Sequence, residues 1–304
     1  MAALFIRDRS YYYESKEKSQ FIQKQSITGW AFLLPATLLI FAMNFYPMLQ
    51  AFILSFQTGI GNNLKWGGLS NYARLLKDGV FRTAITNNFF YLIIQVPVML
   101  ILAIFLATLL NKKDLRGKGL YRTMIFLPCC TALVSYSIIF KTLFAYDGYI
   151  NTVLLKLGLI AERINWLGDV HTAKAIIIIA LIWRWTGYNM VFYLAGLQNI
   201  DESLYEAAQI DGASPFAIFR KITIPLLRPT ILLTTIMSIN GTLQLFDESV
   251  NLTGGGPANS TLTMSHYIYK ASFGIQSTIW IRGSNVIRHL YYGCNIILCS
   301  DESR

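Results

Sequence analysis

Polar groups inside long apolar runs are the first residues to read for chemistry, because each needs a partner or water in a medium that offers neither. Trp183, Arg184, Trp185, Tyr188 and Asn189 fall together in one such run. Aromatic faces with a few convergent polar groups are the usual make-up of a site that orients a small polar molecule. The competing reading is that Trp and Tyr anchor the run at a membrane surface while the arginine snorkels to water. A second run places Asn240, Gln244 and Asp247 at i, i+4 and i+7, on one face of a helix. Such a stripe faces either a cavity or a neighbouring helix with which it hydrogen-bonds.

Other chemistries find little support. No G-x-x-x-x-G-K-[ST] loop occurs, so the chain lacks the backbone cradle that binds nucleotide phosphates. The glycines at 254–256 are followed by Pro257 and read as a flexible turn. His171, His266 and His289 are scattered in presumed loops without carboxylates or cysteines at ligand spacing, and are expected to be solvated. Cys129 and Cys130 are adjacent, and Cys294 and Cys299 are close together; neither pair has zinc spacing, and small buried thiols are the default, with a disulfide open to the second pair. The glycosylation patterns at Asn251 and Asn259 read as chance matches. An integral-membrane enzyme would need His, Asp or Glu clustered near a membrane face, and no such cluster is seen. No catalytic residue, metal or cofactor is therefore expected.

The elements that must position these residues follow from composition. Of 304 residues 54% are hydrophobic and only 14% charged, with mean hydropathy +0.45, against roughly 25% charged in an ordinary soluble domain. Five apolar runs, at about 29–56, 87–110, 123–145, 174–198 and 224–246, are long enough to span a bilayer. Each must be helical, since hydrocarbon offers backbone groups no other partner. The first run carries Pro35 and Pro47 and exceeds one crossing, so part of it is expected to bend or leave the bilayer. The fold class expected is an all-α polytopic integral membrane bundle with five clear spans.

The net charge of +10 does not read as nucleic-acid binding, because the basic residues sit between apolar runs and not on one aromatic-studded face. Arg7, Arg9, Lys16, Lys18 and Lys24 precede the first run, and Lys112, Lys113, Arg116, Lys118 and Arg122 fill a later gap. The positive-inside rule puts both in the cytoplasm, although Lys65, Arg74, Lys77 and Arg82 in the outer gap 57–86 weaken the contrast. Residues 1–27 then form a cytoplasmic segment and not a cleavable signal, and 199–223 is cytoplasmic too.

Within that inner gap, Ser203 with Glu206 three residues on predicts a capping-box helix start, and Asp211-Gly212 a stop. Ser214 then caps a second short helix with Pro215 at its first position. Small residues (Ala207, Ala208, Gly212, Ala213) allow close approach of another backbone, while Phe216, Ile218 and Phe219 are apolar anchors and Glu206 and Asp211 offer charge. The loop is either a docking surface or an amphipathic helix resting on lipid.

Glu206-Ala207-Ala208 through Asp211-Gly212-Ala213, then Phe219, Ile222, Pro225 and Pro229, resembles the EAA loop of permeases of binding-protein-dependent ABC importers, in particular the sugar group with the maltose and glycerol-phosphate systems. Phe32-Leu33-Leu34-Pro35, Leu69-Ser70-Asn71-Tyr72, Phe126-Leu127-Pro128, Trp166-Leu167 and Leu252 to Pro257 also stand where those permeases have similar residues, and the resemblance covers about 20–273. It implies a bacterial plasma-membrane subunit that does not hydrolyse ATP. Glu206, Ala207, Ala208, Asp211, Gly212, Ala213 and Phe219 would couple to a cytoplasmic ABC ATPase dimer. Trp185, Tyr188, Asn189, Asn240 and Gln244 would line the path, since in such permeases the helices flanking the loop do so. The implied partners are a second permease subunit, an extracytoplasmic sugar-binding protein and the lipid bilayer. The cargo would be a sugar or oligosaccharide, the alternative being another small polar solute such as glycerol phosphate. A channel or secondary carrier is disfavoured because neither needs an ATPase-docking loop.

The permease domain is thus expected over 28–273 with an atypical tail over 274–304. Arg282 and Arg288 interrupt the tail, and Leu290 to Cys299 is too short to cross, so the family's sixth span is expected to be missing or degraded and the C-terminus outside the cell. The change after Phe273 reads as a frame shift or truncation.

Overall fold

The computed structural model describes residues 28–59, 64–112 and 115–273. The expectations for 1–27 and for the tail, with His289, Cys294 and Cys299, lie outside them. The described residues are mostly helical, joined by turns and irregular segments, and their strands are a two-residue antiparallel ladder between β1 (Gln57–Thr58) and β2 (Lys65–Trp66).

Three helices are long and apolar enough to cross a membrane unbroken: α1 (Thr28–Ser55), α3 (Gly79–Asn111) and α7 (Val170–Gln198). α1 stays continuous through Pro35 and Pro47, with a π-turn at Phe41–Phe45 just before the second proline. None of its apolar window is buried within the chain, so lipid or another protein must cover it. Between α1 and α3 lies α2 (Ser70–Lys77), tied back where the Asn71 amide donates to the Ser55 and Gln57 carbonyls at 2.8 and 2.9 Å. α3 starts eight residues before the expected boundary because Asp78 caps it, its carboxylate accepting from the Val80 and Phe81 amides.

The remaining two expected spans are not straight, which corrects the sequence reading. α4 (Lys118–Cys130) and α5 (Leu133–Leu143) meet at 97°, and α9 (Pro215–Leu226) and α10 (Arg228 onward) at 68°. The second bend has a local cause. Pro225 and Pro229, four apart, each lack an N–H, and the ring of Pro229 crowds the carbonyl one turn back. The first bend is held by a local hydrogen bond and by contacts from α7. The Thr131 hydroxyl donates to the Pro128 carbonyl at 2.7 Å, and α7 supplies the rest.

α3 lies along α7, and α10 packs on α3. Val96, Met99, Leu100, Ala103, Ala107 and Leu110 of α3 meet Met190, Tyr193, Leu194 and Leu197 of α7 in one buried cluster with Leu227. Ala103 and Ala107, one turn apart and fully buried, let the two backbones approach, the usual device where hydrocarbon supplies no hydrophobic drive between helices. Gly187 does the same between α7 and α4: a Cβ added there would overlap the Ile125 carbonyl and lie 3.0 Å from the Phe126 Cα.

Tyr91, Tyr136, Phe140, Ile176, Ile177 and Leu181 form a second cluster nearer the start of α7. Beside it α6 (Tyr149–Lys156) is fastened through Asn151, whose amide donates to the Ile164 carbonyl at 2.8 Å and whose oxygen accepts from the Trp166 indole at 2.9 Å. Asp169 caps α7, and the Thr172 and His171 amides bonded to its carboxylate hold it below the usual carboxylate range.

Gly187→Ala is expected to lower stability by about 1–3 kcal/mol, because backbone on the α4 side cannot give way. Melting of the purified chain in detergent checks this, with Gly241→Ala as control, since a Cβ there meets nothing within 4 Å.

Candidate functional site

α10 ends at Leu243, and the chain unwinds through Gln244, Leu245 and Phe246 before α11 (Asp247–Asn251) begins. The expected polar stripe is therefore broken. Asn240 and Gln244 remain paired, the Gln244 amide donating to the Asn240 side-chain oxygen at 2.8 Å, but Asp247 opens a new helix and leaves their face. Against this unwound turn stands the middle of α7. Trp185, Tyr188 and Asn189 of α7 and Gln244 line one cavity of about 390 Å³, together with Gln95, Ser238, Thr242, Asp247 and Glu248. Asn240 reaches it only through Gln244.

Packing orients the lining. Trp185 and Tyr188 meet edge to face at 5.8 Å, leaving ring surface toward the space. The Asn189 amide is spent on the Trp185 carbonyl at 3.0 Å, and its oxygen accepts from the Ser238 hydroxyl at 3.4 Å. The Thr242 hydroxyl lies 2.9 Å from Gln95 Oε1, joining α10 to α3.

Arg184 does not face the cavity. It is buried, and one guanidinium nitrogen donates to the Thr131 carbonyl at 2.8 Å and to the Pro128 carbonyl at 3.5 Å, the other to the Cys129 carbonyl at 3.4 Å. These oxygens end the broken helix α4, where an α-helix leaves its last carbonyls unpaired and carries partial negative charge. The arginine is thus neither a snorkelling anchor nor a substrate ligand. Its guanidinium carbon also lies 4.7 Å from the centre of the Tyr136 ring, and the Tyr136 hydroxyl donates to the buried carboxylate of Glu248.

The coupling-loop candidates sit elsewhere, and none lines the cavity. α8 (Glu202–Ile210) is capped by Asp201, which accepts from the Ser203 amide at 3.0 Å; the expected Ser203 cap is displaced because Asp201, a comparably good capping residue, stands two residues earlier at the helix start. The Ser203 amide and hydroxyl hold the Asp201 carboxyl below its usual range. Gly212 ends the helix at φ +73, with Ala213 N–H to the Ala208 carbonyl and Gly212 N–H to the Gln209 carbonyl, the paired bonds of a Schellman stop. Ser214 accepts from the Ala217 amide at 3.3 Å, as the spacing predicts. Glu206, Ala207, Asp211 and Gly212 are exposed, and Ala208, Ala213 and Phe219 half-buried. Ile210 and Phe216 beside the turn are 86% and 70% exposed, far more than a side chain with a partner in this chain would be.

Several other expectations need correction. His266 is buried on α12 (Met264–Phe273), not solvated. The Ser249 hydroxyl donates its proton to the Thr261 carbonyl at 2.8 Å, so the ring Nδ1, also at 2.8 Å, is the donor to Ser249. Burial, then the Lys270 charge, push the imidazole pKa down to about 4, leaving it neutral. Residues 254–256 do form a turn, but all three amides are hydrogen-bonded and Gly254 and Gly255 adopt positive φ, so it is tied down, not flexible. Cys130 is exposed, not a buried thiol.

Sequence reasoning missed Asn87, Asn88, Gln95, Tyr136 and Glu248. Asn87 bonds the Asn259 and Leu262 carbonyls, and Asn88 the Leu243 carbonyl and the Met264 amide, bolting the chain after α10 to α3. The available signal was a pair of adjacent amides inside an apolar run.

Residues 99–287 match the family described as binding-protein-dependent transport system inner membrane component. The chain belongs to this family. The match reaches past Phe273, where the resemblance read from the residues was expected to end. The lactose transport system permease protein LacF of Rhizobium radiobacter is 54% identical over 249 residues, 81% of this chain and 84% of that protein. The arabinooligosaccharides transport system permease protein AraP of Bacillus subtilis is 36% identical over 248 residues, 79% and 77% of the two chains. A bacterial ABC transporter for the acidic polysaccharide alginate shares the fold, with TM-score 0.78 at 23% identity over 90% of this chain and 93% of that one. Its counterpart solved with an alginate pentasaccharide-bound periplasmic protein matches equally, with TM-score 0.78 at 22% identity. The fold of this inner membrane component is thus that of an ABC importer permease, and its kinship is with transport subunits, not enzymes.

Arg184→Gln is expected to cost about 3 kcal/mol, since one neutral amide replaces a charged fork that satisfies three carbonyls. Arg184→Lys should recover little of it, because an ammonium cannot span them. Thermal melting of the purified chain in detergent measures both.

Proposed function

We propose that this inner membrane component forms half of the translocation path for a sugar or oligosaccharide, fed by an extracytoplasmic binding protein and driven by a separate ATPase dimer. The observation that carries this reading is the meeting of Trp185, Tyr188 and Asn189 of α7 with Gln244, just past the end of α10, in one cavity. Its volume falls in the range of small-molecule sites, and aromatic faces beside amides and hydroxyls suit a ring bearing hydroxyl groups. Relatives named for lactose and arabinooligosaccharides support a sugar over a phosphate solute. A second permease would supply the facing wall and cover part of the exposed apolar surface of α1.

The loop over 199–223 supports coupling. An exposed left-handed turn flanked by exposed Ile210 and Phe216 offers a rigid knob with apolar anchors, and the ATPase groove would cover it. Glu206 and Asp211 would supply charge to that contact.

Glu206→Ala or Gly212→Asp should reduce co-purification of the ATPase several-fold and abolish uptake while leaving membrane insertion intact; a side chain at Gly212 also opposes its positive φ. Unchanged ATPase recovery with unchanged uptake would remove the docking role. For the path, single cysteines at Tyr188, Asn189, Asn240 and Gln244 should be labelled by a thiol reagent and protected by lactose in the assembled importer. Labelling indifferent to sugar at all four positions would end that assignment.

A further inference from the structure

The described residues lining the cavity include two carboxylates, Asp247 and Glu248, and no lysine, arginine or histidine. Glu248 is only 3% exposed yet borders the cavity, and the single side-chain donor bonded to it among the described residues is the Tyr136 hydroxyl. Arg184 stands behind that tyrosine, against its ring, with Nη1 and Nη2 bonded to the end of α4 and Nε buried without a hydrogen-bond partner. Its charge helps to keep a carboxylate in a buried place, but it presents no donor to anything inside the cavity. The described wall is therefore one-sided: two acidic side chains, amides, hydroxyls and rings, and no basic side chain.

We propose that Asp247 and Glu248 make this cavity select uncharged solutes and reject anionic ones, with Glu248 as the specificity-determining residue. This deepens the sugar-path reading above and rests on it. Sugar hydroxyls can donate to the two carboxylates, and such charge-assisted bonds are the stronger kind. A uronate or phosphate ester would instead bring a second negative charge into a poorly screened space where the described wall of this chain offers nothing to pair it. Repulsion of the wrong solute is as effective a source of specificity as attraction of the right one. The importer for acidic alginate shares the fold at 23% identity, so the fold leaves charge preference open and the lining residues must set it.

The test uses Met237, which lines the cavity and is 42% exposed. M237C is placed in the full chain with its own cysteines replaced by serine, and the membranes are treated with a cationic methanethiosulfonate (ethyltrimethylammonium) or an anionic one (ethylsulfonate). The ratio of cationic to anionic reaction rates should exceed that of free 2-mercaptoethanol in the same buffer by tenfold or more. E248Q, which keeps an acceptor for Tyr136, and D247N should each bring it back several-fold toward the solution value. D247N keeps the test open if E248Q does not fold. A ratio at the solution value, or one that neither variant moves, overturns the proposal. Protection of M237C by lactose is read separately: charge preference without protection upholds charge selection and overturns the sugar path, and protection without charge preference does the reverse.

Discussion

The guanidinium of Arg184 on the end of α4 is the contact on which the cavity depends. A helix that stops inside a membrane-spanning layer exposes carbonyls that hydrocarbon cannot satisfy, so a break survives only where protein supplies donors. Arg184 supplies them to Thr131, Pro128 and Cys129, and Gly187, three residues on, lets α7 come close enough. With the break secured, α5 leaves at 97° and carries Tyr136 across to Glu248. One cation thus holds the bend, sits behind the tyrosine and offsets the charge of the carboxylate beyond it.

The second irregularity follows the same logic. Residues 244–246 are unwound where α10 meets α11, and irregular backbone at such depth is tolerated when it lines a cavity or is bonded by protein. Asn88 bonds the Leu243 carbonyl and the Thr263 hydroxyl donates to the Leu245 carbonyl at 2.6 Å. The bonded turn over 254–256 and the neutral His266–Ser249–Thr261 chain fix the far side of the same segment. The cavity is consequently rigid on the side this chain supplies.

The loop over 199–223 differs in kind. Its caps are local, from Asp201, Gly212 and Ser214, so its shape does not need the bundle, yet Ile210 and Phe216 face outward. A segment rigid in itself, with Ile210 and Phe216 exposed, suits transmission of force from another protein. Half-buried Phe219 and buried Ile218 root it at the start of α9, which continues through the proline bend into the cavity wall.

Composition and periodicity by themselves determined the membrane character, the rough bounds of the apolar helical runs and the two-helix loop, because each rests on local quantities: apolar run length, proline and glycine positions, and capping side chains. The same reading singled out Trp185, Tyr188 and Asn189, which lie on α7, and Gln244, which stands just past the end of α10. It could not place Asp247, since a helix was assumed to continue where Gln244 to Phe246 unwind. Nor could it assign Arg184, whose partners lie more than fifty residues away, or Glu248, whose donor Tyr136 is 112 residues away. Which buried polar group satisfies which is decided by helix packing: hydrocarbon penalises each polar atom left unpaired, but only the tertiary structure says which groups meet.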